Sequence, residues 1–332
     1  MNETTMEFDG RPVAVIEVNT VVVGTGAAGL NCACRLFREM EETGVKDPAS
    51  RLAVVTRGVG LGTSNNSGSD KQTYYKMGTS GTEPDLAVDF AQTLTAGGCT
   101  HADVALIEGA NSLRGFYRLA DLGVPFPHNA NGEFLGYKTD HDPRQRGTSA
   151  GPWTSRFMVR KLLVELRRCG IRIYDRYHVL AILTDETGAC GVLCLNLASD
   201  GDLVILRSRN VVAAGGGPGD LYEISVYPKG QMGPYAQMFE AGATAHNLTE
   251  SQFGLASIDP RWNLSGTYQQ VIPRYYSTDA DGGDEREFLN PWFTSMATLA
   301  TDIFLKGYQW PFDHDKVADF GSSLIDLSLI HI

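Results

Sequence analysis

The sequence predicts an α/β fold in which a parallel βαβ unit opens the chain and an antiparallel meander follows much later. Three observations carry this expectation. Residues 13–23 are rich in β-branched side chains and run into Gly24-Thr25-Gly26-Ala27-Ala28-Gly29. Leu30, Ala33, Cys34, Phe37 and Met40 then recur at helical spacing until Gly44. Later, residues 171–214 read as strands, separated by the turn sequences Glu186-Thr187-Gly188 and Ser199-Asp200-Gly201.

Between these signals the elements follow in order. Residues 52–55 supply the second strand of the βαβ unit, and residues 58–81 form a loop dense in Gly, Ser, Thr and Asn. Helical period returns over 84–96, 102–122 and 156–169. Strands are expected over 171–174, 179–185, 191–196 and 203–214, then a short helix over 232–242. Beyond His246 the composition shifts towards aromatic and loop-forming residues, among them Trp262, Tyr268, Tyr275, Tyr276, Trp292 and Trp310. The expected division is therefore one domain over 13–246 and a second, partial one over 247–321. The tail 322–332 ends Leu327-Ser328-Leu329-Ile330-His331-Ile332 and reads as non-native translation, so the natural chain is expected to continue further.

Composition narrows the function. At 332 residues, 42% hydrophobic and 20% charged, the chain has material for about two packed domains. A formal charge of -11 argues against a general nucleic-acid binder, which needs a basic face. No apolar run reaches the ~18 residues of a membrane span, and the polar start lacks the features of a signal peptide. A cytoplasmic protein is expected. The six cysteines form no metal-ligand pattern and read as small buried thiols.

The chemistry sits in the glycines. In Gly24-x-Gly26-x-x-Gly29 the first glycine permits a tight strand-to-helix turn. The second admits a pyrophosphate to the backbone, and the third lets helix and strand pack closely. Ala27 and Ala28 begin the helix whose N–H groups would face the phosphates. The acidic residue expected at the end of the second strand is replaced by Thr56-Arg57. In a nicotinamide reading Arg57 could accept a 2′-phosphate, giving NADP. The meander, however, ends in a second glycine cluster, Ala214-Gly215-Gly216-Gly217. Two close backbone approaches suit the two ends of FAD better.

At Val21-Val22-Val23-Gly24-Thr25-Gly26-Ala27-Ala28-Gly29-Leu30 and over 211–222, the chain resembles the succinate dehydrogenase/fumarate reductase flavoprotein subunits, with L-aspartate oxidase as a relative. Ala241-Gly242-Ala243, Gln252-Phe253 and Asp284-Glu285-Arg286 before Phe288 add to the likeness. The resemblance implies a Rossmann-like FAD-binding domain carrying the meander, followed by the start of an α+β capping domain. Substrate would lie between them at the flavin. Thr63, Ser64, Asn65, Ser67 and Gly68 would belong to the loop beside the flavin ring. Respiratory members carry there a histidine that links to FAD. This loop has none, so the FAD is expected to be non-covalent.

The family also places a substrate-binding histidine soon after the Gln-Phe pair, where this chain has Gly254-Leu255. A family arginine some thirteen residues before a Glu-Arg pair falls here at Arg274, which becomes the catalytic candidate. Lys71, Arg144 and Arg146 are further cations that could face an anion, although solvated loop charges are the simpler reading. The implied activity is fumarate reductase-like hydride transfer between flavin N5 and a small anionic substrate. An L-aspartate oxidase-like enzyme, or an inactive cofactor-binding fragment, is the alternative. An electron-transfer partner subunit is compatible with the resemblance but not identified by it.

Overall fold

The computed structural model describes residues 2–306 apart from 9, 68–71, 81–83, 97, 99, 139–141, 143, 222–224, 226, 247, 249–255, 258–261, 264–268 and 270. The chain opens with a hairpin, β1 (Asn2–Phe8) and β2 (Arg11–Glu17), paired antiparallel from Asn2↔Glu17 to Phe8↔Arg11. Sequence reasoning registered this start only as polar and acidic. The signal it missed is the dipeptide Asp-Gly at 9–10, a sequence that favours two-residue hairpin turns.

The single strand expected over 13–23 is in fact two. β2 ends at Glu17, and β3 (Thr20–Val23) belongs to another sheet. Between them Val18 N–H donates to Arg207 O and Asn19 N–H to Arg51 O, so the chain changes sheets without losing backbone bonds. The helix α1 (Ala27–Glu42), the strand β4 (Leu52–Thr56) and the short helix α2 (Thr63–Asn66) follow. Next come β5 (Tyr74–Tyr75), α3 (Ala87–Thr95), α4 (Ala102–Asp121) and β6 (Gly147–Thr148). The helix α5 (Thr154–Arg168) leads into β7 (Arg172–Asp175), β8 (Tyr177–Asp185) and β9 (Gly188–Asn196). The run expected over 203–214 again divides, into β10 (Leu203–Arg207) and β11 (Asn210–Ala213), which lie in different sheets. The last elements are α6 (Tyr235–Glu240), β12 (Ala256–Ser257), β13 (Trp262–Asn263) and α7 (Met296–Lys306). Among the described residues no helix is long and apolar enough to cross a membrane, and no cluster suits a metal ion.

Two compact units emerge. The first gathers Met1–Gly68, Leu119–Pro125 and Trp153–His246; the second gathers Ser69–Arg118, Phe126–Pro152 and Asn247–Ile332.

In the first unit a parallel sheet has the order β11-β3-β4-β7, and a five-stranded sheet has the order β1-β2-β10-β9-β8. Val21, Val23, Ala53, Val55 and Tyr174 of the parallel sheet pack on Ile16, Val179, Val192, Cys194, Val204 and Leu206 of the other. Strand residues alternate sides, so Val22 and Val54 point the opposite way. There α1 buries Leu30, Ala33 and Cys34. Coverage on both faces explains why β3 and β4 read as continuous apolar runs. On α1 rests α5, where Cys34 Sγ meets Leu162 O at 3.8 Å and Arg38 pairs with Glu165 at 2.6 Å.

The second unit is built on rings. Phe116 packs against Tyr74, Phe126 and Phe134, with centroids 4.8 to 6.0 Å apart. A smaller cluster joins Leu289, Leu299 and Ile303 to Tyr275, Phe288 and Phe293.

Candidate cofactor site

The first unit collects most of the candidate residues at the C-terminal ends of β3, β4 and β11. Gly24 N–H donates to Val55 O and Ala214 N–H to Val23 O, both at 2.8 Å, which locks the three strand ends together. This is where open α/β sheets bind ligands, because adjoining loops leave a crevice there.

The three glycines are required for three different reasons. Gly24 has φ 114, and a Cβ on it would lie 2.4 Å from Ala214 O. A Cβ on Gly29 would lie 2.2 Å from Gly24 O, so α1 could not seat against the turn. Gly26 is different. Its backbone is extended (φ -75, ψ -178), and a Cβ would meet only Ser64 Oγ, at 3.3 Å. Nothing in the protein's own packing strictly demands a glycine there. The missing side chain leaves room for something outside the chain.

The helix behind that gap suits an anion. Gly26 caps α1 without a side-chain hydrogen bond, and no acidic residue occupies the first turn of this 16-residue helix. Its N-terminus therefore keeps the partial positive charge that attracts phosphate. Ala27 N–H donates to Ser64 Oγ at 3.3 Å, a hydroxyl oxygen standing where a phosphate oxygen would be received. Ala28 and Gly29 complete the turn. A pyrophosphate-bearing cofactor fits this cradle.

The flanking candidates form its walls. Thr56 Oγ1 accepts from Thr25 Oγ1 at 3.1 Å and from Gly58 N–H at 3.3 Å, fixing the loop after β4. Arg57 is exposed, with Nη1 3.4 Å from Gly230 O. Burial, and then this guanidinium, pushes the His178 imidazole below its usual pKa. Asn65 and Asn66 donate to Gly60 O, and Ser67 N–H donates to Thr63 O, which curls 60–67 into α2. Ser67 Oγ also lies 3.4 Å from Ser155 Oγ. Gly68 and Lys71 lie outside the described residues, as do Gln252, Phe253 and the tail 322–332.

One residue that sequence reasoning missed ties these walls together. Gln231 Oε1 accepts from Thr63 N–H at 3.3 Å, while its Nε2 donates to Gly215 O at 2.8 Å. A Cβ at Gly216 would lie 2.8 Å from that Nε2. The partners are 168 and 16 positions away, so no local pattern could have announced them.

Arg274 lies in the second unit. Its guanidinium pairs with Glu285 at 3.2 Å and with Glu287, and lies 5.0 Å from the Tyr276 ring centroid. The side chain is 59% exposed. Hydrogen bonds from Arg274 and then Asn290 hold the Glu287 carboxyl below its ordinary range. Arg274 also helps to line a cavity of about 200 Å³ with Tyr275, Leu289, Leu299 and Ile303.

The reading of Arg146 as a solvated or anion-facing loop charge is corrected. Its side chain is 0% exposed. Nε and Nη2 grip both oxygens of Asp85, at 2.8 and 2.6 Å. Nη1 reaches Thr93 Oγ1 at 2.8 Å, Tyr75 Oη at 3.2 Å and Asp142 at 3.2 Å. Against the cost of burial, Arg146 and Gly78 N–H keep the Asp85 carboxyl below its usual pKa. Burial raises that of Asp142. Arg144 lies 4.0 Å from Asp89. Beside this cluster, the enclosed Lys76 amine donates to Thr79 Oγ1 at 2.9 Å and Met77 O at 3.3 Å, and burial pushes it down to about 8.

Comparison with known proteins agrees with this geometry. The family described as FAD binding domain matches residues 19–274. An L-aspartate oxidase of Neisseria meningitidis serogroup B is 31% identical over 175 residues, which is 52% of this chain and 34% of that protein. L-aspartate oxidase 2 of Ralstonia nicotianae is 28% identical over 248 residues, or 72% and 42% of the two chains. The chain thus spans less than half the length of the curated relatives it matches. Among solved structures, a mutant of E. coli quinol fumarate reductase FrdA aligns with a TM-score of 0.55 at 21% identity. That match covers 66% of this chain and 35% of the other, and it speaks for the fold alone. The chain belongs to the FAD binding domain family, and its cofactor is FAD.

Proposed function

We propose that this chain is the FAD-holding part of an oxidoreductase that transfers hydride between the flavin and a small anionic substrate. The gap at Gly26, in front of an uncapped and acid-free helix start, is the observation that carries this reading. FAD supplies hydride chemistry at flavin N5. The chain's own residues bind and orient. The start of α1 receives the pyrophosphate, and Gly215 and Gly216 allow a second close backbone approach. Thr63, Ser64, Asn65 and Ser67 offer hydroxyl, amide and backbone groups to the polar edge of the ring system. With no histidine among residues 63–67, the cofactor is held non-covalently.

Arg274 is the proposed catalytic cation. Hydride addition to an electron-poor double bond builds negative charge, which a fixed guanidinium stabilises. Its high pKa makes charge stabilisation the role that suits it, rather than proton donation. A specific observation supports a second reading, L-aspartate oxidation, since both curated relatives above carry that name. An electron-transfer partner subunit fits either reading.

The test is direct. The purified chain, saturated with FAD and precipitated with acid, should release its yellow colour into the supernatant. Flavin retained in the pellet, or a bound nicotinamide instead, would overturn the proposal. Assaying the complete enzyme for aspartate oxidation against fumarate reduction separates the two substrate readings.

A further inference from the structure

We propose that Gln231 is a positioning residue that staples the flavin-side loop to the second glycine cluster and thereby sets the width of the FAD cradle. The proposal rests on the FAD reading of that cradle.

The geometry is a two-ended bridge. Gln231 Oε1 accepts from Thr63 N–H at 3.3 Å, at the first residue of α2, while Nε2 donates to Gly215 O at 2.8 Å, just after β11. Its own backbone is anchored: its N–H donates to Pro228 O at 3.2 Å and its C=O accepts from Asp220 N–H at 3.0 Å. Arg57 Nη1 holds the neighbouring Gly230 O at 3.4 Å. The amide is thus mounted on a fixed loop and reaches into both walls.

What it fixes matters for the cofactor. The Thr63 end carries Ser64, whose hydroxyl faces Ala27 N–H at the start of α1. The Gly215 end adjoins Ala214, whose carbonyl lies where a Cβ on Gly24 would clash. Each wall is tied by its own contacts to one part of the glycine turn, and Gln231 ties the walls to each other. An amide is the side chain this needs, because it offers an acceptor at one end and a donor at the other. Gly216 has no Cβ to obstruct the Nε2, which a side chain there would approach within 2.8 Å.

Two substitutions separate this role from general packing. Gln231→Met keeps the length and loses both bonds. Gln231→Glu keeps an acceptor for Thr63 N–H but, when ionised, turns a second acceptor towards Gly215 O. A carboxylate facing that carbonyl oxygen takes up its proton above the ordinary value of about 4.3, and once protonated its O–H can donate to the carbonyl and restore the original pattern. The experiment is a titration of the full chain with FAD, followed by flavin fluorescence at pH 8 and pH 5, with circular dichroism to verify folding.

At pH 8 both variants should bind FAD about tenfold more weakly than the parent chain, the scale of one or two neutral hydrogen bonds. Gln231→Glu should be the weaker of the two. At pH 5 the order should reverse, with Gln231→Glu regaining affinity relative to the parent and Gln231→Met regaining none. Binding by both variants within twofold of the parent, or equal losses at both pH values, would overturn the staple while leaving the FAD reading intact. Failure of the parent chain to bind FAD would remove that reading, and the staple with it.

Discussion

Arg146 in the second unit and Gly26 in the first stand at the centres of two constructions assembled from distant parts of the sequence. Around Arg146 every guanidinium nitrogen finds a protein partner: both oxygens of Asp85, the carboxylate of Asp142, and the oxygens of Tyr75 and Thr93. Around Gly26 the side chain is absent, the helix start has no side-chain cap, and one serine hydroxyl approaches the first turn. A charge cluster that satisfies itself is structure. A cradle that leaves room in front of a helix start free of acidic residues is a place for a ligand. A count of cations could not have made this distinction, because Arg146 looked as available to an anion as any loop arginine.

The largest effect expected from breaking this contrast is at Arg146. Arg146→Met strands Asp85 and Asp142 in the interior, and removing one partner of a buried ion pair costs roughly 3–5 kcal/mol. Urea unfolding of the variant should show a loss on that scale. A change under about 1 kcal/mol would mean that solvent reaches the cluster and that the arginine is not the keystone described above.

Arg274 tests the proposed chemistry rather than the fold. In the complete enzyme Arg274→Gln should leave FAD content unchanged and lower turnover by ~10²-fold, as loss of one transition-state donor does. Its present partners, Glu285 and Glu287, are exposed enough that stability should hardly move. Near-normal turnover would return Arg274 to a surface ion pair.

The smallest of the three effects lies at Lys76. A folded-state value near 8, against an ordinary 10.5, means the unfolded chain binds the proton more tightly. Stability should therefore rise as pH climbs from about 8 towards 10, and Lys76→Met should abolish that rise. The gain from the substitution at pH 7 should be on the order of 1–2 kcal/mol, readable as a higher midpoint in urea. A destabilised Lys76→Met would assign the amine's bond to Thr79 more weight than its burial.

What was legible in the sequence was local. The Gly24, Gly26, Gly29 spacing, the apolar stripe of α1 and the turns of the meander all lie within a few positions of one another. The breaks at Val18-Asn19 and between β10 and β11 were not legible, because a strand that changes sheets keeps its β-branched composition across the step. The bond between Arg146 and Asp85 spans 61 positions, and that between Gln231 and Thr63 spans 168. Neither leaves a periodic trace. The second unit likewise draws 69–118 and 126–152 together with 247–332, segments that are not neighbours in the sequence.

If the gap at Gly26 is kept for the cofactor, a valine at that position must block it. Gly26 has an extended backbone that valine also adopts, and a Cβ there meets only Ser64 Oγ at 3.3 Å. Gly26→Val should therefore fold with the same circular dichroism spectrum as the parent. The parent chain should bind FAD and quench its fluorescence to saturation, whereas the valine variant should show no binding over the same range. Equal FAD affinity in a folded Gly26→Val chain would mean that the space in front of α1 holds no part of the cofactor.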